Sequence, residues 1–469
     1  MSSKATSRLL LLTAFLSLWL SRVHSQTGGV FIEGFEPDYA GRILTFYSIA
    51  DPVSKNEEFA FDLRIGPQGR IQVQTGITGT LICYSEFDSY LGKLILVPGR
   101  KFHIKLPPLK EKTFEESKNP YFKPIEIWIM NQSDDPDNLT SLFARYDQRF
   151  YQLSQKYFTQ IYYRQQRNYM DSVKIPLEKE FGRFQTPEFR FHQALQMKNM
   201  EAGMMRAGRE KLISGIRGLP ADAWKLPSFA ELIDRLFTNT FSLEAKTPHG
   251  NQLRVMVARN DLQGLKKWTE SFTGVSSPLS DLLLIKFLHD AFYSGEFSRN
   301  AILQALKTQY FTQHPDAEVR AMVAAVSGKL QFLYTGTEAP EICLPSLSED
   351  TICSTSSTKP YQYILFADLE IPVCREQVKY LKTIQEKIGQ ELDILLILTP
   401  ATRVSNQDFI RTEQIPGKIV NDTNDKAIGK KYKIRSYPSA LLLNRDHKVV
   451  LSPAKTPLDG FEYQFPGKK

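Results

Sequence analysis

The sequence predicts a multidomain α+β protein: an N-terminal antiparallel β-sandwich, a central helical domain and a C-terminal α/β domain. Three observations predict it. Short alternating apolar and polar runs, separated by turn residues, fill residues 26–110. Apolar side chains then recur at steps of three and four within residues 140–335. After residue 336, strand-like and helix-like segments alternate.

The chain has 469 residues, enough for about three domains at ~150 residues each. Hydrophobic residues make up 42% and charged residues 23%, which excludes a largely disordered chain and a multi-span membrane protein. The first 25 residues carry Lys4, Arg8 and Arg22 and no acid. Removing those three cations from the formal net charge of +8 leaves +5. Lys and Arg are dispersed rather than clustered, so no nucleic-acid partner is expected.

Residues 1–25 read as an export signal. Lys4 and Arg8 form a basic start, and Leu9 to Leu20 is an apolar run too short to span a bilayer. Val23-His24-Ser25 suits a cut before Gln26. No later apolar run reaches ~18 residues, so the cleaved protein is expected to be soluble, without a membrane span, in a compartment that permits disulfides.

In the β region, Phe61 to Ile65 and Ile71 to Thr75 alternate apolar and polar side chains. Ile43 to Tyr47, Thr80 to Tyr84, Leu94 to Val97 and Phe102 to Leu106 are also strand-like, with Pro67-Gln68-Gly69, Pro98-Gly99 and Pro107-Pro108 as turns. Residues 111–139, polar and ending in Asn131 to Asn138, read as a linker. Phe143, Tyr146, Phe150, Leu153, Tyr157 and Ile161 line one face of a long helix. Helices are expected at about 188–214, 227–239, 251–271, 279–292, 298–312 and 316–333, with Pro220, Pro227, Pro248, Pro278 and Pro315 near their starts.

In the last part, Tyr361 to Phe366 and Leu392 to Leu398 read as buried strands, and Cys374 to Lys387 as a helix. Asp425 to Lys431 reads as a short helix. Ala440 to Leu443 and Lys448 to Leu451 read as strands joined by a turn at Asn444 to His447.

Residues 336–469 resemble the thioredoxin-like domains of exported TlpA-type thiol–disulfide proteins. Gly336-Thr337-Glu338-Ala339-Pro340 with Leu344 is similar to that family's opening motif. Phe366 to Arg375 is similar to its active-site stretch, and Tyr437-Pro438 to its cis-proline loop. The resemblance implies a bacterial periplasm or cell envelope and a peptide groove at Glu370, Ile371, Pro372, Tyr437 and Pro438. The sequence departs from the family where the chemistry lies. Ile371 stands where the family places the attacking Cys, Glu370 stands at its Trp, and Cys374 alone matches the resolving Cys. A resolving thiol alone cannot run the two-thiol cycle.

Cys343 and Cys353 are expected to form a disulfide if the segment between them is a hairpin. The alternative is that one of them partners Cys374. Cys83 reads as a buried free thiol. No His spacing suits zinc and no phosphate loop is present, so neither metal nor cofactor is expected. His289-Asp290 reads as a satisfied core pair. Asn131, Asn138 and Asn421 match the glycan-acceptor pattern, which has meaning only in a eukaryotic secretory pathway.

The reading that follows is an exported, non-catalytic protein that binds a protein or peptide partner in the envelope, with oligomeric state open. The alternatives are a single-thiol oxidoreductase or isomerase at Cys374, or capture of an envelope polymer or glycan by the β and helical regions, motivated by Tyr162 and Tyr163.

Overall fold

The computed structural model describes residues 28–468 apart from 133–134, 136, 205–208, 249, 347–349 and 423–426. The expected export signal therefore lies outside the described residues. The chain divides into two compact units. One is Met1–Lys112 with Lys123–Val326, the other Thr113–Phe122 with Ser327–Lys469.

The first unit begins with nine strands: β1 (Gly28–Phe35), β2 (Ile43–Ile49), β3 (Glu57–Arg64), β4 (Arg70–Ile77), β5 (Leu81–Phe87), β6 (Tyr90–Leu96), β7 (Lys101–Lys105), β8 (Ile125–Trp128) and β9 (Met130–Asn131). They form two sheets, ordered β4-β1-β7-β9 and β3-β2-β5-β6-β8. Alternation puts Val30, Ile32 and Ile104 of the first sheet and Phe46, Leu63 and Leu94 of the second into one core. Phe46 stacks on Phe61 with ring centroids 4.7 Å apart.

The expected antiparallel pairing holds only in part, since β1–β7 and β6–β8 are parallel. The β6–β8 pair comes from the stretch read as a linker. Ile125–Trp128 adds an edge strand beside β6, and Met130–Asn131 pairs with β7. Neither Ile125 nor Glu126 of β8 is buried, so the segment lacks the alternation that marks a strand in sequence.

Asn138 starts the long helix Leu139–Lys156, its side chain accepting the Ser141 N–H. Phe143, Tyr146 and Leu153 are buried on the expected face, and Ile161 continues it into the turn Thr159–Tyr163. Helix Asn168–Phe181 follows, with Pro176 inside it. That proline conceals the helix from a sequence reading. Pro227 occupies the first turn of Pro227–Phe237, and Pro278 precedes Leu279–Ser294, whose Leu282 to Leu288 run is wholly buried. No helix among the described residues is long and apolar enough to cross a membrane.

The second unit contains β10 (Cys343–Pro345), β11 (Thr351–Cys353), β12 (Tyr361–Ala367), β13 (Leu392–Leu398), β14 (Lys418–Asn421), β15 (Ser439–Asn444) and β16 (Val449–Ala454). β10 and β11 form a two-stranded ladder. The others form one sheet ordered β14-β13-β12-β15-β16. β14, β13 and β12 run parallel, while β15 and β16 run antiparallel to their neighbours. β12 and β13 are near-continuous apolar runs because both faces are covered. Tyr363 and Leu365 meet Val378, Leu381 and Ile384 on one face, and Ile364 and Phe366 meet Ile342 and Tyr432 on the other. The expected helix from Cys374 to Lys387 starts two residues earlier and is divided at Tyr380, into Pro372–Lys379 and Leu381–Ile388. Of the expected short helix near Asp425, the described part is Ala427–Lys431. Sheet order, the helix after β12 and the cis Tyr437–Pro438 bond before β15 make a thioredoxin-like fold.

Candidate functional site

Ile371 caps the helix Pro372–Lys379 in extended conformation, and Pro372 occupies its first turn. This is where a depressed thiol pKa would arise, because helix N-termini favour negative charge. An apolar side chain stands there instead. Cys374 lies in the first turn, with 0% exposure. Burial pushes its thiol up to about 11, against the opposing pull of the Asp368 backbone N–H. The site thus holds one protonated, covered sulfur.

The other cysteines supply no second thiol. Cys343 and Cys353 face each other across β10 and β11 and are bonded to one another, which leaves neither free to resolve Cys374. The Glu341 carboxylate lies within 4.8 Å of both sulfurs, but bonded sulfurs are not the thiolates a metal needs. Cys83 lies on β5 of the first unit, buried, its thiol raised by burial.

The rest of the site is built around two carboxylates. Asp368 follows β12, and its Oδ1 accepts the Glu370 N–H at 3.0 Å. Glu370 Oε1 accepts the Thr402 N–H at 2.5 Å, the Thr402 hydroxyl at 2.9 Å and the Arg403 N–H at 2.6 Å. The second oxygens, Asp368 Oδ2 and Glu370 Oε2, meet Lys118 Nζ at 2.7 and 2.5 Å. Side-chain exposure is 16% for Lys118, 1% for Asp368 and 2% for Glu370. Burial alone would raise the Glu370 carboxyl. Lys118 and the Thr402 and Arg403 donors outweigh it and bring the group down to about 2.

Lys118 belongs to the one-turn helix Phe114–Lys118, which Thr113 and Glu116 cap reciprocally. The Arg403 guanidinium lies over the Phe114 ring, 3.5 Å from its centroid. Ser117 to Pro120 form one wall of a cavity of about 250 Å³, and Asp368, Ile371 and Tyr437 line another part of it. Burial, then the negative charges of Asp422 and Asp368, push the Tyr437 hydroxyl up to about 12.

The structure thus brings Ile371 and Tyr437 together at one cavity, and Cys374 is buried in the hydrophobic core. Pro372 is exposed and Pro438 half-buried. Glu370 turns toward Thr402, Arg403 and Lys118. Sequence reasoning missed Asp368, Thr402, Arg403 and Lys118. The Thr113-x-x-Glu116 capping box was the one local signal for the Lys118 helix, and nothing in it names the surface it meets.

Other sequence-derived candidates fall elsewhere. Tyr162 is half-buried against Phe158 and Tyr163 is exposed. Asp290 faces His289 at 3.0 Å and Lys286 at 3.2 Å within a helix. Each acceptor-pattern asparagine uses its side-chain oxygen internally: Asn131 with the His103 N–H, Asn138 with the Ser141 N–H and Asn421 with Asn406.

No protein-family profile and no curated protein sequence matches the chain. Solved structures do. The thioredoxin domain of a thiol-disulfide oxidoreductase from Bacteroides vulgatus is 19% identical over 28% of this chain and 95% of its own, with a TM-score of 0.26. A domain of a possible thiol-disulfide isomerase from Cytophaga hutchinsonii is 19% identical over 29% of this chain and 96% of its own, TM-score 0.26. A secreted Mycobacterium tuberculosis disulfide oxidoreductase is 17% identical over 26% and 96%, TM-score 0.23. About 28% of this chain is thus similar to TlpA- and DsbE-like thioredoxin domains.

Proposed function

We propose that this chain is an exported envelope protein of three modules, a β-sandwich, a helical region and a thioredoxin-like region, that binds a protein or peptide partner and catalyses no disulfide exchange. The observation that carries this reading is the pairing of Ile371 at the helix N-cap with a Cys374 that is wholly buried and whose thiol is raised to about 11. Attack on a disulfide needs an accessible thiolate, and this site provides neither access nor charge. The cavity lined by Ile371 and Tyr437 supports the reading as a seat for a polypeptide. The Leu9 to Leu20 run and the Cys343–Cys353 disulfide support an oxidising compartment.

The test is reduction of insulin disulfides by the purified protein, beside a Cys374→Ser control. The two are expected to match the uncatalysed rate. Turnover by the wild type that disappears in Cys374→Ser overturns the reading and favours a single-thiol oxidoreductase. That second reading has one observation of its own, the Asp368 backbone N–H, which draws the Cys374 pKa downward.

A further inference from the structure

Asp368 and Glu370 present one oxygen each to a cation, and their other oxygens are held by the protein. Asp368 Oδ1 is bound to the Glu370 N–H, and Glu370 Oε1 to the Thr402 and Arg403 N–H groups. The two carboxylates are therefore preset, whatever occupies the space between Asp368 Oδ2 and Glu370 Oε2. Both side chains are almost fully withdrawn from water. Two adjacent buried carboxylates without a cation are strongly unfavourable. The space selects an ammonium or guanidinium.

Its resident is Lys118, carried on an element that is weakly held. The Phe114–Lys118 helix is one turn long and has no buried residue. So short a helix has no stability of its own. Its contacts with the rest of the second unit include the Lys118 bridge and the Phe114–Arg403 stack. Segments with few buried apolar contacts occupy the low end of local stability. The same segment walls the cavity that contains Ile371 and Tyr437, so a polypeptide seated there contacts it.

We propose that Thr113–Phe122 is a built-in, releasable ligand of this groove, and that the groove takes a partner polypeptide through a lysine or arginine that replaces Lys118 between Asp368 and Glu370. The inference rests on the binding role proposed above and specifies the chemistry of the ligand. Segment and partner are mutually exclusive.

The probe is a fluorescein-labelled synthetic peptide of residues 113–122, with a second peptide in which its lysine is glutamine. Both are titrated against the full chain, wild type, Lys118→Gln and Phe114→Ala. The lysine peptide is expected to bind Lys118→Gln roughly tenfold or more tighter than the wild type, and the glutamine peptide to bind neither. Equal binding of the two peptides, or no preference for the variants over the wild type, overturns the proposal. Phe114→Ala leaves both carboxylates paired and serves if Lys118→Gln does not fold. The insulin assay is independent of these readouts. Failure here without turnover there removes the lysine-receptor mechanism alone, whereas turnover there removes the binding reading itself.

Discussion

At Glu370, one carboxyl group couples the site to acid. Its folded pKa of about 2 lies below the ordinary value of 4.5. A depressed carboxyl contributes stability that is complete above its unfolded pKa and is lost as pH falls toward its folded one. The contribution therefore fades between about pH 5 and 2. Glu370→Gln is expected to be less stable than wild type at neutral pH and to show a flatter decline over that window, measured by urea unfolding at successive pH values. A parallel decline in both proteins would show that the Lys118 contact carries no linkage. Ile371 supports a converse prediction. Ile371→Cys places a thiol at the N-cap, with two residues between it and Cys374. The pair is expected to oxidise, seen as loss of the Cys374 free thiol by mass spectrometry, and insulin reduction is expected to rise from baseline. An Ile371→Cys protein with two persistent free thiols under mild oxidant would contradict that geometry.

At the scale of elements, the β10–β11 ladder is short, and the Cys343–Cys353 bond closes it. Cross-linking two residues ten apart removes unfolded-state freedom worth about 3 kcal/mol. Cys343→Ser with Cys353→Ser is expected to lower the unfolding free energy of the second unit by about that amount, read by denaturant titration. No change in midpoint would mean the ladder is held by Leu344 and Ile352 against the core alone. The strands themselves were legible where one face is buried and the other wet, as in β3, β4 and β7, and where both are buried, as in β12 and β13. They were illegible where burial is partial. β8 joins an edge with its side chains largely exposed, so no pattern betrays it. The helix Asn168–Phe181 was hidden by Pro176, although Val173, Leu177 and Phe181 are buried at helical spacing.

At the scale of the whole molecule, the second unit is made from two separated stretches of chain. A fragment of residues 336–469, the boundary that the opening motif suggests, lacks Lys118 and leaves Asp368 and Glu370 facing each other. Such a fragment is expected to be destabilised by about 3 kcal/mol relative to one supplied with the missing cation. Adding the synthetic peptide of residues 113–122 is expected to raise its melting temperature. A melt indifferent to the peptide would mean the fragment relaxes to separate the two carboxylates.

The sequence by itself determined the α+β class and the two buried strands, offered the Cys343–Cys353 disulfide as one of two pairings, and set Ile371 at the helix start. Each of these is a local fact: a periodicity, a spacing of ten residues or a side chain at one position of a motif. Only the tertiary structure decided the site's electrostatics. Lys118 and Asp368 are 250 residues apart in the chain and 2.7 Å apart in space. Charge pairing acts through distance in space, and no local pattern records which buried carboxylate a distant lysine will reach.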